Sequence, residues 1–333
     1  MAKFSIILPV RNGGEYAREC INSILTQTFT DFNIVVLDNC STDGTVEWLE
    51  SLKNEKIIIH KATHSLTIEQ NWARIKDVPR NEFMTMIGHD DLLEPDYLAV
   101  MNTLISQFPD ATLYQTHFNY IDAKGKLIRP CLPMDEQQRV HEFLASQLQR
   151  TIDSTGTGYL MRSNDYDELG GMPPHYPNLI FADFSLFVRL MAKGYKATAL
   201  NNCFSYRVHN SVSRTTNGMA FLTAFGEYVK EMHALQQRLP EVDVSIRQYG
   251  KDFLLFWCES LSHRLLKTPV KMRTLKVNGL VDLFKNYANL LIPGQAFEPA
   301  KIFRIRLAVL LDSNSLSRNF FQWYRNLTGN PGQ

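Results

Sequence analysis

FSIILPVRNGGEYARECINSIL, residues 4–25, is an apolar run that stops at a polar turn and passes into a segment with helical spacing. Phe4 to Val10 is short, rich in β-branched residues and bounded by turn signals, which reads as a buried strand. Arg11-Asn12-Gly13-Gly14 supplies the turn. From Glu15 to Leu25 the positions Tyr16, Ala17, Cys20, Ile21, Ile24 and Leu25 recur at three- and four-residue intervals, giving a helix with one buried face.

The same alternation continues outward. Asn33 to Leu37 (NIVVL) reads as a second strand and Asp38 to Gly44 as a loop, with Asp43 suited to the N-cap of a helix carrying Val46, Trp48, Leu49 and Leu52. Lys56 to His60 is a third strand and Ile68 to Ile75 a third helix. Phe83 to Ile87 is a fourth strand, ending at Gly88-His89-Asp90-Asp91. Strands separated by helices predict an α/β fold with a mostly parallel, doubly wound sheet. Such sheets bind ligands beyond the carboxyl ends of their strands. The polar clusters at 11–15, 38–43 and 88–91 should therefore converge on one crevice.

Residues 110 to 215 are more mixed, with strand-like pieces at Thr112 to Gln115 and Gly158 to Met161 and a helix around Asp183 to Lys193. Beyond about 215, the segments Phe221–Arg238, Arg247–Leu266, Val277–Leu291 and Pro299–Leu311 look helical, with Pro240, Pro269, Pro293 and Pro299 as breakers. The expected organisation is an α/β domain over 1–215, divided near 110, followed by a helical region over 216–333.

Composition is that of an ordinary globular protein: 333 residues, 35 Lys and Arg against 34 Asp and Glu, and 44% hydrophobic. No apolar run approaches the ~20 residues of a spanning helix. The N-terminal Met-Ala-Lys leads into a strand without the apolar core or cleavage site of a signal peptide, so a cytoplasmic location is expected. The five cysteines are scattered and never form CxxC, which argues for buried thiols over a disulfide framework or a zinc site. Neither GxGxxG after the first strand nor GxxxxGK[ST] is present, which disfavours a dinucleotide-binding oxidoreductase and a P-loop NTPase.

Adjacent carboxylates are costly unless a cation or hydrogen-bond donors compensate them. Asp90-Asp91 at a strand terminus therefore suggests a divalent Mg²⁺ or Mn²⁺ held together with substrate phosphates. The alternative is a pair that caps the helix beginning near Glu94-Pro95-Asp96. Asp38 likewise either accepts hydrogen bonds from a base or ribose or organises its own turn.

These stretches together resemble family 2 glycosyltransferases of the GT-A fold. The resemblance rests on the ordered series formed by residues 5–45, EQNWARI (69–75), MTMIGHDDLLEPDYL (84–98), NLIFADFSLFVRLMAKGYKA (178–197) and YRVHNSVS (206–213), and covers roughly 3 to 213. It implies an inverting transferase of the hexosyl type that uses a nucleotide-diphosphate sugar, Mn²⁺ or Mg²⁺, and a saccharide or lipid-linked saccharide acceptor, in surface polysaccharide assembly. Pro9, Val10, Asn12 and Glu15 would line the nucleotide pocket, Asp38 would bind base or ribose, and Asn71 would face the nucleotide or pack within its helix. His89-Asp90-Asp91 would be the family's metal-binding DXD-type motif, with His89 and Asp90 in the nucleotide-sugar site, Asp90 toward the ribose, and Asp91 on the metal next to the diphosphate; His209 would approach the metal or diphosphate or be structural. Arg207 and Arg214 would pair with the diphosphate or lie on the surface. Thr155 to Tyr159 and Gly170 to His175 fall on the acceptor side.

An inverting transfer needs a carboxylate beside the acceptor hydroxyl. Asp183 occupies the position of the family's base, with the N-cap of the following helix as its alternative role. The sequence departs from the family at three points: Gly88 and Asn39 stand where Asp is frequent, and Ala182 stands where Glu is. These departures keep a non-catalytic nucleotide-sugar or glycan binder in view. A sugar nucleotidyltransferase would want a glycine-rich basic loop after the first strand, and this chain offers Arg11-Asn12-Gly13-Gly14.

The near-neutral total conceals an asymmetry. Residues 1–246 hold 22 Lys and Arg against 29 Asp and Glu, net −7, whereas residues 247–333 hold 13 against 5, net +8. That basic end interleaves Lys301, Arg304, Arg306, Arg318 and Arg325 with Phe303, Phe320, Phe321, Trp323 and Tyr324. The mixture suits an anionic membrane surface at the inner face. Packing on the catalytic domain or a homodimer contact would use the same residues; nucleic acid is not an expected partner.

Overall fold

The computed structural model describes residues 2–209, 215–314, 316–318, 321 and 323. Arg214, Phe320, Tyr324 and Arg325 lie outside the described residues. The chain divides into two compact units, one of residues 1–143 with 150–211, the other of 144–149 with 212–333.

In the first unit, β1 (Phe4–Val10) is buried at all seven positions because it runs in the middle of the sheet. It pairs in parallel with β2 (Phe32–Asp38) and β4 (Phe83–Met86), and β2 pairs in parallel with β3 (Ile57–Lys61). α1 (Gly14–Leu25), α2 (Thr45–Ser51) and α3 (Ile68–Ala73) make the connections. α1 buries Ala17, Cys20, Ile21 and Ile24.

The parallel arrangement read from the sequence holds for these four strands and gives way to mixed pairing beyond them. The sheet order is β3-β2-β1-β4-β9-β6-β10-β5, where β5 is Leu92–Leu93, β6 Leu113–Ile121, β9 Tyr159–Arg162 and β10 Lys196–Arg207. β9 is antiparallel to both β4 and β6, β10 is parallel to β6, and β5 is antiparallel to β10. Two short strands, β7 (Leu127–Pro130) and β8 (Gln137–Gln138), pair with β6 and β10. α4 (Tyr97–Gln107), α5 (Val140–Gln149), α6 (Ser163–Glu168) and α7 (Ala182–Met191) complete the helices up to residue 209. Asp43 does not N-cap α2: Gly44 holds that position at φ 85°, and Asp43 accepts from the Thr45 amide and hydroxyl just inside the helix.

The second unit contains α8 (Gly218–Arg238), α9 (Pro240–Lys267), α10 (Val277–Leu291) and α11 (Phe303–Ser313). Asn217 caps α8 by accepting from the Met219 and Ala220 amides. α9 begins at Pro240, seven residues before the Arg247 start expected from the sequence. Proline there opens the helix, since a first-turn residue has no intrahelical partner for its N–H. Phe225 stacks on Phe284 at 5.2 Å and packs against Trp257 at 5.5 Å, joining three helices. Four of the five cysteines are buried and all are free thiols.

Asp312 ties the end of α11 to the rest of this unit. It is buried, accepts from Arg273 and Arg318 at 2.8 Å each, and receives the Val277 amide that opens α10 at 2.8 Å. Removing one member of such a network strands a buried charge. Asp312→Ala should therefore cost about 3–5 kcal/mol, read as a lower urea midpoint of the full chain. A change below ~1 kcal/mol would mean that Arg273 finds water instead.

Candidate functional site

The loops after β1 and β2 are laced together beside the strand ends. Asn12 adopts φ 51°, donates its amide to Ser41 Oγ at 2.9 Å and accepts from the Thr42 amide at 2.8 Å. Gly14 donates to Asp43 Oδ2 at 2.8 Å. Asp38 accepts from the Ser41 amide at 3.2 Å and is buried, so its carboxylate organises the turn. Pro9 and Val10 are buried in β1, while Glu15 is exposed in the first turn of α1, 3.9 Å from Arg18.

Asn39 explains its own departure from Asp. Its Nδ2 donates to the Leu66 carbonyl at 3.0 Å and its Oδ1 accepts from the Leu66 amide at 2.7 Å. An aspartate has no donor for the first of these bonds. Asn71 is likewise engaged in packing: it donates to the Leu37 carbonyl at 3.2 Å and accepts from Arg74, which also bonds the Asp38 and His60 carbonyls.

After β4, Gly88 lets the chain turn against its own carboxylates. A Cβ there would lie 2.6 Å from Asp90 Oδ1 and 3.0 Å from Asp91 Oδ2, so any larger residue would force these carboxylates to move. Asp91 points inward, with Oδ1 accepting from the Arg207 amide at 3.0 Å and Oδ2 from Thr157 Oγ1 at 2.7 Å. Burial and the neighbouring Asp90 charge push its pKa upward. Asp90 instead faces the crevice, half-buried, and bonds His209 Nε2. His89 packs over Gly13, where an added Cβ would sit 3.3 Å from its ring, and burial lowers its pKa. The pair does not cap α4, whose N-cap is Asp96.

Arg207 is not a surface residue, and its guanidinium is engaged within the protein. It is buried, with Nε on the Asp90 carbonyl at 2.7 Å, Nη1 on the Ala123 carbonyl at 3.1 Å, Nη2 on Glu19 at 2.5 Å, and its guanidinium 4.7 Å over the Tyr16 ring.

Asp183 joins this cluster through one loop. Thr157 holds Asp91, and the preceding Gly156 approaches Asp183 so closely that a Cβ would be 3.1 Å from Asp183 Oδ2. Gly158, at φ 80°, faces the Phe204 ring with no space for a side chain. Asp183 stands in the first turn of α7, past the N-cap residue Phe181, and is half-buried; burial raises its pKa to about 6, although the Phe184 amide donates to Oδ1 at 2.9 Å. Ala182 beside it is fully buried.

The segment leading into α7 is strained. Asn178, Leu179 and Phe181 all have positive φ, which Asn tolerates but which is unfavourable for Leu and Phe. Glu69 on α3 accepts from the Asn178 amide at 2.6 Å and anchors that segment.

The family model for glycosyl transferase family 2 matches residues 5–166, which include the Asp90-Asp91 turn and Thr157. Residues 5–166 of this chain are thus similar to family 2 glycosyltransferases. A putative teichuronic acid biosynthesis glycosyltransferase, TuaG of Bacillus subtilis, is 25% identical over 63% of this chain and 81% of its own length. An uncharacterized glycosyltransferase of Rickettsia felis is 31% identical over 39% of this chain and 22% of that protein. The first relatives are thus matched over only about a fifth to two fifths of their length. Among solved structures, Staphylococcus aureus TarS 1–349 in complex with UDP-GlcNAc superposes with a TM-score of 0.67 over 97% of this chain and 92% of that one, at 14% identity. That likeness establishes the GT-A architecture.

The sequence flagged Asp90, Asp91, His209 and Asp183 and the loop carrying Thr157; the geometry gathers them at one end of the sheet. Two contributors escaped it. Glu69 sits in an amphipathic helix with nothing to set it apart, and Glu19 looks like any exposed helical acid. Among the described residues no three His, Cys, Asp or Glu side chains form a metal cage. The two aspartates should separate in thermal melts. Asp91→Ala leaves Thr157 and the Arg207 amide unsatisfied and should cost about 2–3 kcal/mol, whereas Asp90→Ala should stay within ~0.5 kcal/mol of the parent. Equal losses would contradict the inward and outward assignment.

Proposed function

We propose that this protein transfers a sugar, with inversion, from a nucleotide-diphosphate sugar to a saccharide or lipid-linked saccharide, with Asp183 as the general base. The observation that carries the reading is the common loop: Thr157 bonds the Asp90-Asp91 turn while Gly156 makes room at the carboxylate of Asp183. A donor diphosphate at the turn and an acceptor hydroxyl at Asp183 would then lie on opposite sides of one reacting carbon, as inversion requires.

Asp183 has the properties of a base. With a pKa near 6 it is ionised at neutral pH yet basic enough to accept a proton as the hydroxyl attacks. Phe184 fixes Oδ1 through its amide, and the strained segment anchored by Glu69 sets where α7 begins. The three departures fit their surroundings: Asn39 needs its donor, Gly88 its missing Cβ, and Ala182 its burial. That fit favours an enzyme over a degenerate binder.

The donor set also suits a divalent ion. Asp90 and His209 offer one oxygen and one nitrogen, half-exposed and in mutual contact, as expected where substrate phosphates and water complete the shell. Asp91, whose two oxygens are bonded within the protein, fits that role less well than Asp90. When bound, Mn²⁺ or Mg²⁺ would neutralise charge on the departing diphosphate. The donor sugar is open, because the relatives' names differ: TarS is a poly(ribitol-phosphate) β-N-acetylglucosaminyltransferase and RfbV of Salmonella typhimurium, 31% identical over 33% of this chain and 34% of its own, an abequosyltransferase.

Screening nucleotide sugars for Mn²⁺-supported hydrolysis or transfer tests the reading directly; no sugar released from any donor would remove it. With an active donor, turnover should rise with pH through about 6 and level off as Asp183 ionises. Asp183→Asn should lower turnover by at least ~10²-fold. It should not lower the melting temperature. A carboxyl whose folded pKa is raised contributes stability below its unfolded pKa of about 4 and loses it as pH rises through about 6, so the neutral amide should gain up to ~2–3 kcal/mol at pH 7.5. Near-parental turnover by the Asp183→Asn variant would refute the base. Chelation by EDTA should abolish transfer and Mn²⁺ restore it, and full activity in EDTA would exclude the metal.

A further inference from the structure

α11 is apolar on two opposite sides. One side carries Ile305 and Ala308, fully buried within the second unit, together with the buried Asp312. On the other side stand Phe303, 66% exposed, Leu307, 41%, and Leu310, 63%. At 3.6 residues per turn these three fall in one line along the helix, turned directly away from the core. An ordinary surface helix puts charge there. The charge is present, but displaced to the flanks: Arg304 lies to one side of the stripe and Arg306 to the other, both exposed, with Lys301 just before the helix.

We propose that this face of α11 docks on an anionic lipid surface. A helix lying in a bilayer interface presents an outward apolar stripe bordered by basic side chains, whose stems reach up to the headgroups. The excess of 13 Lys and Arg over 5 Asp and Glu across residues 247–333 supplies the long-range attraction. Val270 and Met272, both exposed, flank Lys271 on the turn that Arg273 ties to Asp312. A second copy of this chain is a poorer occupant. A twofold contact through the same stripe would bring Arg306 of one copy against Arg306 of the other, since Glu259 and Glu298 already pair with Arg304 and Lys301 within each copy. Among the described residues no helix is long and apolar enough to cross a membrane, so contact of this kind would be peripheral.

The inference is independent of the sugar-transfer reading, and its test needs no donor. The full chain should co-sediment with vesicles made of equal parts phosphatidylglycerol and phosphatidylcholine, remain in the supernatant with phosphatidylcholine alone, and be released by salt. The double substitution Leu307→Asp with Leu310→Asp, at positions that leave the buried side intact, should lower vesicle partitioning by about tenfold or more. Arg306→Glu should lower it about fivefold or more. Circular dichroism melts check that both variants are folded. No sedimentation with the anionic vesicles, or undiminished sedimentation of the folded double variant, would overturn the proposal. So would a dimer in solution that the double variant converts to monomer, because the stripe would then be a self-association face.

Discussion

Two adjacent carboxylates at the end of a buried strand are the constraint around which the α/β unit is built. Left alone, Asp90 and Asp91 would repel one another and pay for desolvation. The protein separates their fates. Asp91 turns inward to an amide and a hydroxyl, Asp90 turns outward to His209, and Gly88 gives the space that lets the two diverge. Arg207 underlies both, bonding the Asp90 carbonyl through Nε and Asp91 through its own amide. Its positive charge is held by Glu19 and capped by the Tyr16 ring, so the compensation reaches from β10 across to α1.

The parts of the fold legible in the sequence are those fixed locally. β1 to β4 and their helices announce themselves through apolar runs and three-to-four spacing, and the loops they end in were correctly grouped. Beyond β4 the pairing depends on partners distant in sequence: β9 inserts between β4 and β6, and no periodicity encodes that neighbour. The same limit governs the site. Residue types at strand ends pointed to Asp90, Asp91 and Asp183, but which oxygen faces in or out depends on Arg207 and Thr157, which lie far along the chain. The burial of Arg207 is not legible, because an arginine in YRVH carries no mark of it. Proline at 240 misled for the opposite reason, since the residue that breaks a helix interior also suits its first turn.

The departures from the family pattern look different once packed. Asn39, Gly88 and Ala182 would each be replaced at a cost, by a lost donor, a clash or a buried charge. Read as a string they suggest erosion, and read in three dimensions each fits its own surroundings. The strain before α7 has the same character. Backbone held at unfavourable φ by anchored amides is stability given up where a side chain must be aimed.

The reach of Arg207 also orders events in time. Its bond to Asp91 spans 116 residues and its bond to Glu19 spans 188. While the chain is being synthesised, the first four strands can emerge and collapse with the acidic turn uncompensated, until β10 leaves the ribosome. Any product that stops short of residue 207 would hold the first four strands yet lack the cation beneath its acidic turn and leave a sheet edge unpaired.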